Sequence, residues 1–194
     1  MYSVDNLDQV VRMDGVPLPE TGAPLPIVVA DEHGVVLSYL PDDSSQQVGS
    51  EVEFTFVRFK LPLMHMFGPP NDEALQGHPL WGRGLDYSEV FRVEQSSLIR
   101  RLALMNRVHP HYNLALFEKK NHYVFTFHDS TLECVAESVE TEQMKCGWKE
   151  RQSRMQEWLS PDPVRPISTQ GRITPSFRTK LRWPPVLLLP TPEI

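Results

Sequence analysis

The stretch Asn121 to Val139, NHYVFTFHDSTLECVAESV, restricts what this chain can fold into more than any other part of it. Aromatic and β-branched residues alternate along it until His128-Asp129-Ser130-Thr131 interrupts them, which predicts two antiparallel strands joined by a tight turn. Side chains of a strand alternate with period two. His122, Val124, Thr126 and His128 therefore share one face of the first arm, and Tyr123, Phe125 and Phe127 share the other, the expected core face. In the second arm Leu132, Cys134 and Ala136 alternate with Glu133, Val135 and Glu137, as in a strand with one packed face and one partly wet face. A histidine beside such a turn is placed to stand at the rim of a pocket.

Other segments supply partners for this hairpin. Ile27 to Leu40 predicts a second hairpin around Asp31-Glu32-His33-Gly34, with Gly34 as the left-handed residue of its turn. Val52 to Lys60 and Tyr87 to Val93 read as strands. Ser96 or Ser97 is a natural N-cap for a helix running to about Val108, because Leu98, Ile99, Leu102 and Met105 recur at helical spacing and His109-Pro110 ends it. Met144, Trp148, Arg151, Met155 and Trp158 fall at helical intervals and predict an amphipathic helix over 141–159, with Gly147 inside it.

The expected architecture is an α+β domain over 27–140. It is a curved antiparallel sheet or half-open barrel covered by one main helix. An extended N-terminal arm, 1–26, precedes it, and the 141–159 helix leads into a proline-rich, basic C-terminal arm, 160–194. The 194 residues, 40% hydrophobic and 23% charged, suffice for one sizeable core.

Charge narrows the partners. The net charge is −6, yet Arg165, Arg172, Arg178, Lys180 and Arg182 give the segment between Pro163 and Pro192 +5, leaving −11 for the remainder. An acidic body argues against nucleic acid, whose phosphates need clustered Lys and Arg. The basic arm complements either the chain's own acidic body or that of a neighbouring copy, the second being homo-oligomer formation through 141–194. No apolar run reaches the ~20 residues that span a bilayer, and the N-terminus has neither a basic nor an apolar leader region, so no membrane is expected and the location reads as cytoplasmic. Cys134 and Cys146 form neither a metal pair nor a disulfide framework.

Three groups of residues carry candidate chemistry. His128, Asp129 and Glu133 form a candidate acid-base set, since a carboxylate that orients a histidine fixes its tautomer for proton transfer. Asp129 in particular also suits a plain turn role. His78, His109, His111 and His128 are candidate metal ligands, with the proline inside His109-Pro110-His111 weighing against a regular pair of imidazoles on one strand face. Asn71, Asp72, Glu73, His78, Trp81 and Arg83 form a candidate ligand-binding patch in a Gly/Pro-rich segment longer than an ordinary connection. Asn71 and Asp72 also suit the cap of a short helix.

No nucleophile elbow, phosphate loop, dinucleotide fingerprint or zinc-protease helix is present, so the sequence names no cofactor. It points to a soluble ligand-binding or protein-interaction (accessory) protein that holds a small molecule or a protein partner. The alternative is a small enzyme with a His/carboxylate site, with or without a metal.

Overall fold

The computed structural model describes residues 2–42 and 51–159. Its strands are β1 (Gln9–Arg12), β2 (Ile27–Ala30), β3 (Val35–Tyr39), β4 (Val52–Lys60), β5 (Met64–Gly68), β6 (Val90–Glu94), β7 (Asn121–Thr126), β8 (Thr131–Ala136) and β9 (Ser138–Cys146). The helices are α1 (Ser97–Met105), α2 (Ala115–Glu118) and α3 (Trp148–Leu159), with short 3-10 turns at Asp72–Gly77 and Asn106–Val108. None is long and apolar enough to cross a membrane.

The fold is α+β, and its strands divide between two open antiparallel sheets: one of order β1-β6-β7-β8-β5 and one of order β2-β3-β4-β9. The division follows from β8 and β9. Only Glu137 separates them, yet β8 pairs with β7 and β5 while β9 pairs with β4 over its whole length. The chain thus steps from one sheet to the other at that residue.

Three apolar layers result. Between the sheets, Leu37, Tyr39, Val57 and Phe59 meet Tyr123, Phe125, Phe127 and Leu132, with Phe59 edge-on to Tyr123 and Phe125 at 5.9 and 5.8 Å between ring centres. Outside the four-stranded sheet, Phe54, Phe56 and Cys146 pack against Met155, Trp158 and Leu159 of α3. Outside the five-stranded sheet, Phe91, Val93 and Val124 pack against Leu75, Leu80 and Leu85. That last layer turns the long 69–87 segment into a packed cover.

Local detail departs from expectation at three places. The β2–β3 turn is closed by Asp31, whose Oδ1 accepts from the His33 and Gly34 N–H groups at 2.7 and 2.8 Å. Gly34 does not supply a left-handed backbone; a Cβ there would stand 3.0 Å from Leu159 Cδ1, so the glycine makes room for α3. Within 1–26, β1 pairs with β6. Residues 141–146 continue β9 and α3 begins only at Trp148, because β4 takes β9 as its neighbour and Gly147 marks the break, its carbonyl accepting from Arg151 N–H. The predicted 160–194 arm lies outside the described residues.

On α3 the apolar stripe contains a charge. Arg151 is fully buried; it donates to the Ser38 and Leu25 carbonyls at 2.7 and 2.8 Å and stacks 4.4 Å from the centre of Phe54.

Candidate functional site

The packing of β8 sets the site. Leu132, Cys134 and Ala136 point into the inter-sheet core, so Glu133 points the other way, under the 69–87 cover. The β7–β8 register pairs Val124 with Glu133 and His122 with Val135, which sets His122 diagonally beside Glu133 on the same face. Its Nε2 lies 2.8 Å from Glu133 Oε2. The 3-10 turn Asp72–Gly77 ends at His78, whose Nε2 lies 3.2 Å from Glu133 Oε1. Tyr2 donates its hydroxyl to Oε2 from the N-terminal segment.

For His78 the second partner of the ring fixes the proton. His78 Nδ1 accepts from the Leu80 N–H at 3.2 Å, so the His78 proton sits on Nε2 and is given to Glu133. His122 Nδ1 faces Ser96 Oγ at 3.0 Å, and Ser96, the N-cap of α1, accepts from Ile99 N–H at 3.3 Å. His122 Nε2 donates to the ionised Glu133, and Ser96 Oγ pairs with Nδ1, as donor to a neutral ring or acceptor from a charged one. A continuous array, Ile99 N–H to Ser96 to His122 to Glu133, runs through side chains that are nearly all buried.

These donors govern the charge. Burial opposes ionisation of Glu133, but the hydrogen bonds from His122 and His78, the His122 charge interaction and the Tyr2 hydroxyl outweigh it and hold the carboxyl at about 2. Burial and the adjacent carboxylate push the Tyr2 hydroxyl in the opposite direction, upward, so it remains a donor. Oε2 accepts two hydrogen bonds and Oε1 only one, which leaves Oε1 capacity for another donor. Glu133 and His78 line a cavity of about 180 Å³, walled by Met66, Phe67, Pro69 and Thr131.

The array resembles a nucleophile–base–carboxylate arrangement in outline. Its surroundings differ from one built for acyl transfer, because the Ser97 N–H, which would stabilise an oxyanion at Ser96, already donates to Asp8 Oδ1 at 2.7 Å. Asp8 is itself buried and places a carboxylate where negative charge would develop.

The residues singled out from sequence distribute as follows. Of the acid-base set, Glu133 is central, but His128 pairs with Asp72 Oδ2 at 2.6 Å, and Asp129 stands exposed 4.0 Å from the other ring nitrogen. The Asp72 hydrogen bond, then its charge, raises the pKa of His128. Of the metal set, His78 is held by Glu133, His128 by Asp72, and His109 and His111 lie on an exposed turn with rings 5.9 Å apart. Among the described residues no group of three or more His, Cys, Asp or Glu side chains is arranged to hold a metal ion.

Of the ligand patch, Asn71 caps the 3-10 turn through Ala74 N–H, Asp72 holds His128, and Glu73 is exposed. Trp81 packs over the outer layer against Tyr87, and Arg83 uses its carbonyl to accept from Val10. His78 alone of these six lines the Glu133 cavity.

Two members of the array, His122 and Tyr2, are assigned no role by the sequence, and Ser96 is assigned only as an N-cap, the place it takes in α1. The face rule had already placed His122 and Glu133 on the non-core side of their strands; missing was the register that makes them neighbours. Tyr2 carries no local signal, since its contact with Glu133 spans 131 positions. Comparison with protein-family models, with characterised proteins and with solved structures gives no match for this chain.

Proposed function

We propose that this protein is a ligand-binding protein whose cavity at Glu133 receives a small hydrogen-bond-donating cation of the ammonium or guanidinium class. The observation that carries the reading is the carboxylate itself. Glu133 is held ionised by three donors and lines a cavity with spare acceptor capacity on Oε1. The ionised Glu133 carboxylate offers a bound cation a negative charge and an open acceptor in a site of reduced dielectric. Phe67 and Met66 suit the apolar flank of an alkylammonium group. The small volume favours a ligand, or ligand end, of few heavy atoms. Free, buried Cys134 and Cys146 fit a reducing, cytoplasmic setting.

Titration of isotope-labelled protein with methylammonium, guanidinium and acetate at constant ionic strength tests the reading. The cations should shift Glu133, His78 and Thr131 resonances with millimolar affinity, as expected for so few atoms. Acetate should not, and Glu133→Gln should abolish the response. Equal shifts from all three ions, or shifts confined to surface residues, overturn it.

A second reading, an acid-base enzyme, is favoured by one observation: Ser96 also lines a separate cleft of about 750 Å³, and its hydroxyl is engaged by His122. Stoichiometric labelling of Ser96 by a fluorophosphonate would support that reading, and failure to label it would remove it.

A further inference from the structure

We infer that the ligand of the Glu133 cavity is a primary aliphatic amine whose unbranched hydrocarbon chain lies in a second, apolar cavity beside it. The inference rests on the reading of Glu133 as a cation site and adds the rest of the ligand to it. A cavity of about 350 Å³ is bounded by Met64 and Met66 of β5 and by Leu98, Leu102 and Met105 of α1. Strand register sets it next to the carboxylate. β5 pairs Met66 directly with Glu133 and Met64 with Val135, so both methionines stand on the sheet face that carries Glu133 and His122. Met66 lines both cavities. Tyr2 links them as well: it lines the apolar cavity, sets its ring edge-on to His122 at 5.9 Å between centres, and donates its hydroxyl to Glu133.

Size and wall chemistry identify the occupant. The Glu133 cavity by itself is smaller than an ordinary ligand pocket of about 300–1,000 Å³, and the two together fall within that range. Three methionines and two leucines offer a methylene chain apolar contact that adapts to its shape, and Met66, the wall shared by the two cavities, has the rotatable bonds to let a chain past. The walls also disfavour related ligands. A diamine would bring its second charge into an apolar cavity whose described walls hold Arg101 and no carboxylate. A fatty acid would exchange the buried Glu133 for Arg101, an exposed partner worth little in water.

Titration of the isotope-labelled full chain with methyl-, propyl- and hexylammonium at constant ionic strength, followed at the Glu133 side chain and the methionine methyl groups, tests this. From propyl to hexyl, affinity should rise about fourfold for each methylene. The Met64, Met66 and Met105 methyl signals should shift with hexylammonium and stay in place with methylammonium. Hexamethylenediamine and hexanoate should each bind about tenfold or more weaker than hexylammonium. Leu102→Trp fills the chain cavity and should flatten the rise. Met105→Trp does the same from a 64% exposed position, which keeps the test decisive where the first variant fails to fold. Failure of the underlying reading shows separately, because methylammonium then leaves Glu133 unmoved and both assignments fall. With methylammonium bound at Glu133, three outcomes overturn the chain assignment alone: no gain from propyl to hexyl, a rise that persists in a folded Trp variant, or hexanoate or the diamine binding as tightly as hexylammonium.

Discussion

Glu133→Gln tests the buried array through stability. In the unfolded chain this carboxyl titrates near its ordinary 4.5, and in the folded protein near 2. A folded value below the unfolded one means that the group stabilises the fold fully above the unfolded value, and that this stability is lost as pH falls toward the folded value. At about 1.36 kcal/mol per pH unit the difference is worth about 3 kcal/mol at pH 7 and about 1.5 kcal/mol at pH 3. The amide adds a second cost. If its carbonyl serves Tyr2 and His122, its NH₂ meets the His78 Nε2–H, donor against donor. His78 cannot move the proton to Nδ1 without confronting the Leu80 N–H. One buried donor left unpaired costs about 1–3 kcal/mol. Urea unfolding of wild type and variant should therefore differ by about 4–6 kcal/mol at pH 7, and by clearly less at pH 3. A difference under about 1 kcal/mol at pH 7, or one that acid leaves unchanged, refutes the argument.

Three further outcomes follow from neighbouring geometry. Ser96→Ala removes both the α1 cap and the Nδ1 partner of His122, and should cost about 1–2 kcal/mol in the same assay, with Ser96→Thr largely restoring it. His128, raised by Asp72, should titrate above 6.5 by NMR, and Asp72→Asn should bring it back; its stabilising contribution is present below the ordinary value and fades as pH rises through the folded one. Arg151→Ala leaves the Ser38 and Leu25 carbonyls without their donor and opens a void beside Phe54, at about 3–5 kcal/mol by thermal or urea unfolding. Arg151→Lys should recover only part, because one ammonium cannot reproduce the fork and the stacking.

What the sequence reveals here is what depends on near neighbours. The 121–139 hairpin and the β2–β3 pair rest on alternation and turn chemistry, and α1 rests on a cap and a periodic stripe, so all three are readable from a short window. β5 and β1 are not. Met64–Gly68 lies among glycines and prolines, and Gln9–Arg12 in a polar arm, and each becomes a strand only because β8 or β6 offers an edge. For 141–146 the periodic spacing misleads: Met144 fits a helix stripe and equally an outward-alternating edge strand, and only the pairing with β4 decides. The same limit applies to the site. Glu133 stands out locally as a carboxylate inside an apolar strand, whereas its partners come from the N-terminus, the cover segment, a strand and a helix cap. His128 looked like its partner through proximity in sequence, but the turn carries that ring to Asp72.

The measurement closest to the central claim is a carbon-detected NMR titration of the Glu133 side-chain carboxyl in the folded protein, with imidazole nitrogen shifts recorded in parallel. The account predicts a carboxylate that stays ionised to about pH 2, with the proton of His78 on Nε2 at neutral pH. A carboxyl that protonates at 4.5 or above, or a His78 proton on Nδ1, would contradict it and remove the anionic site on which the ligand proposal stands.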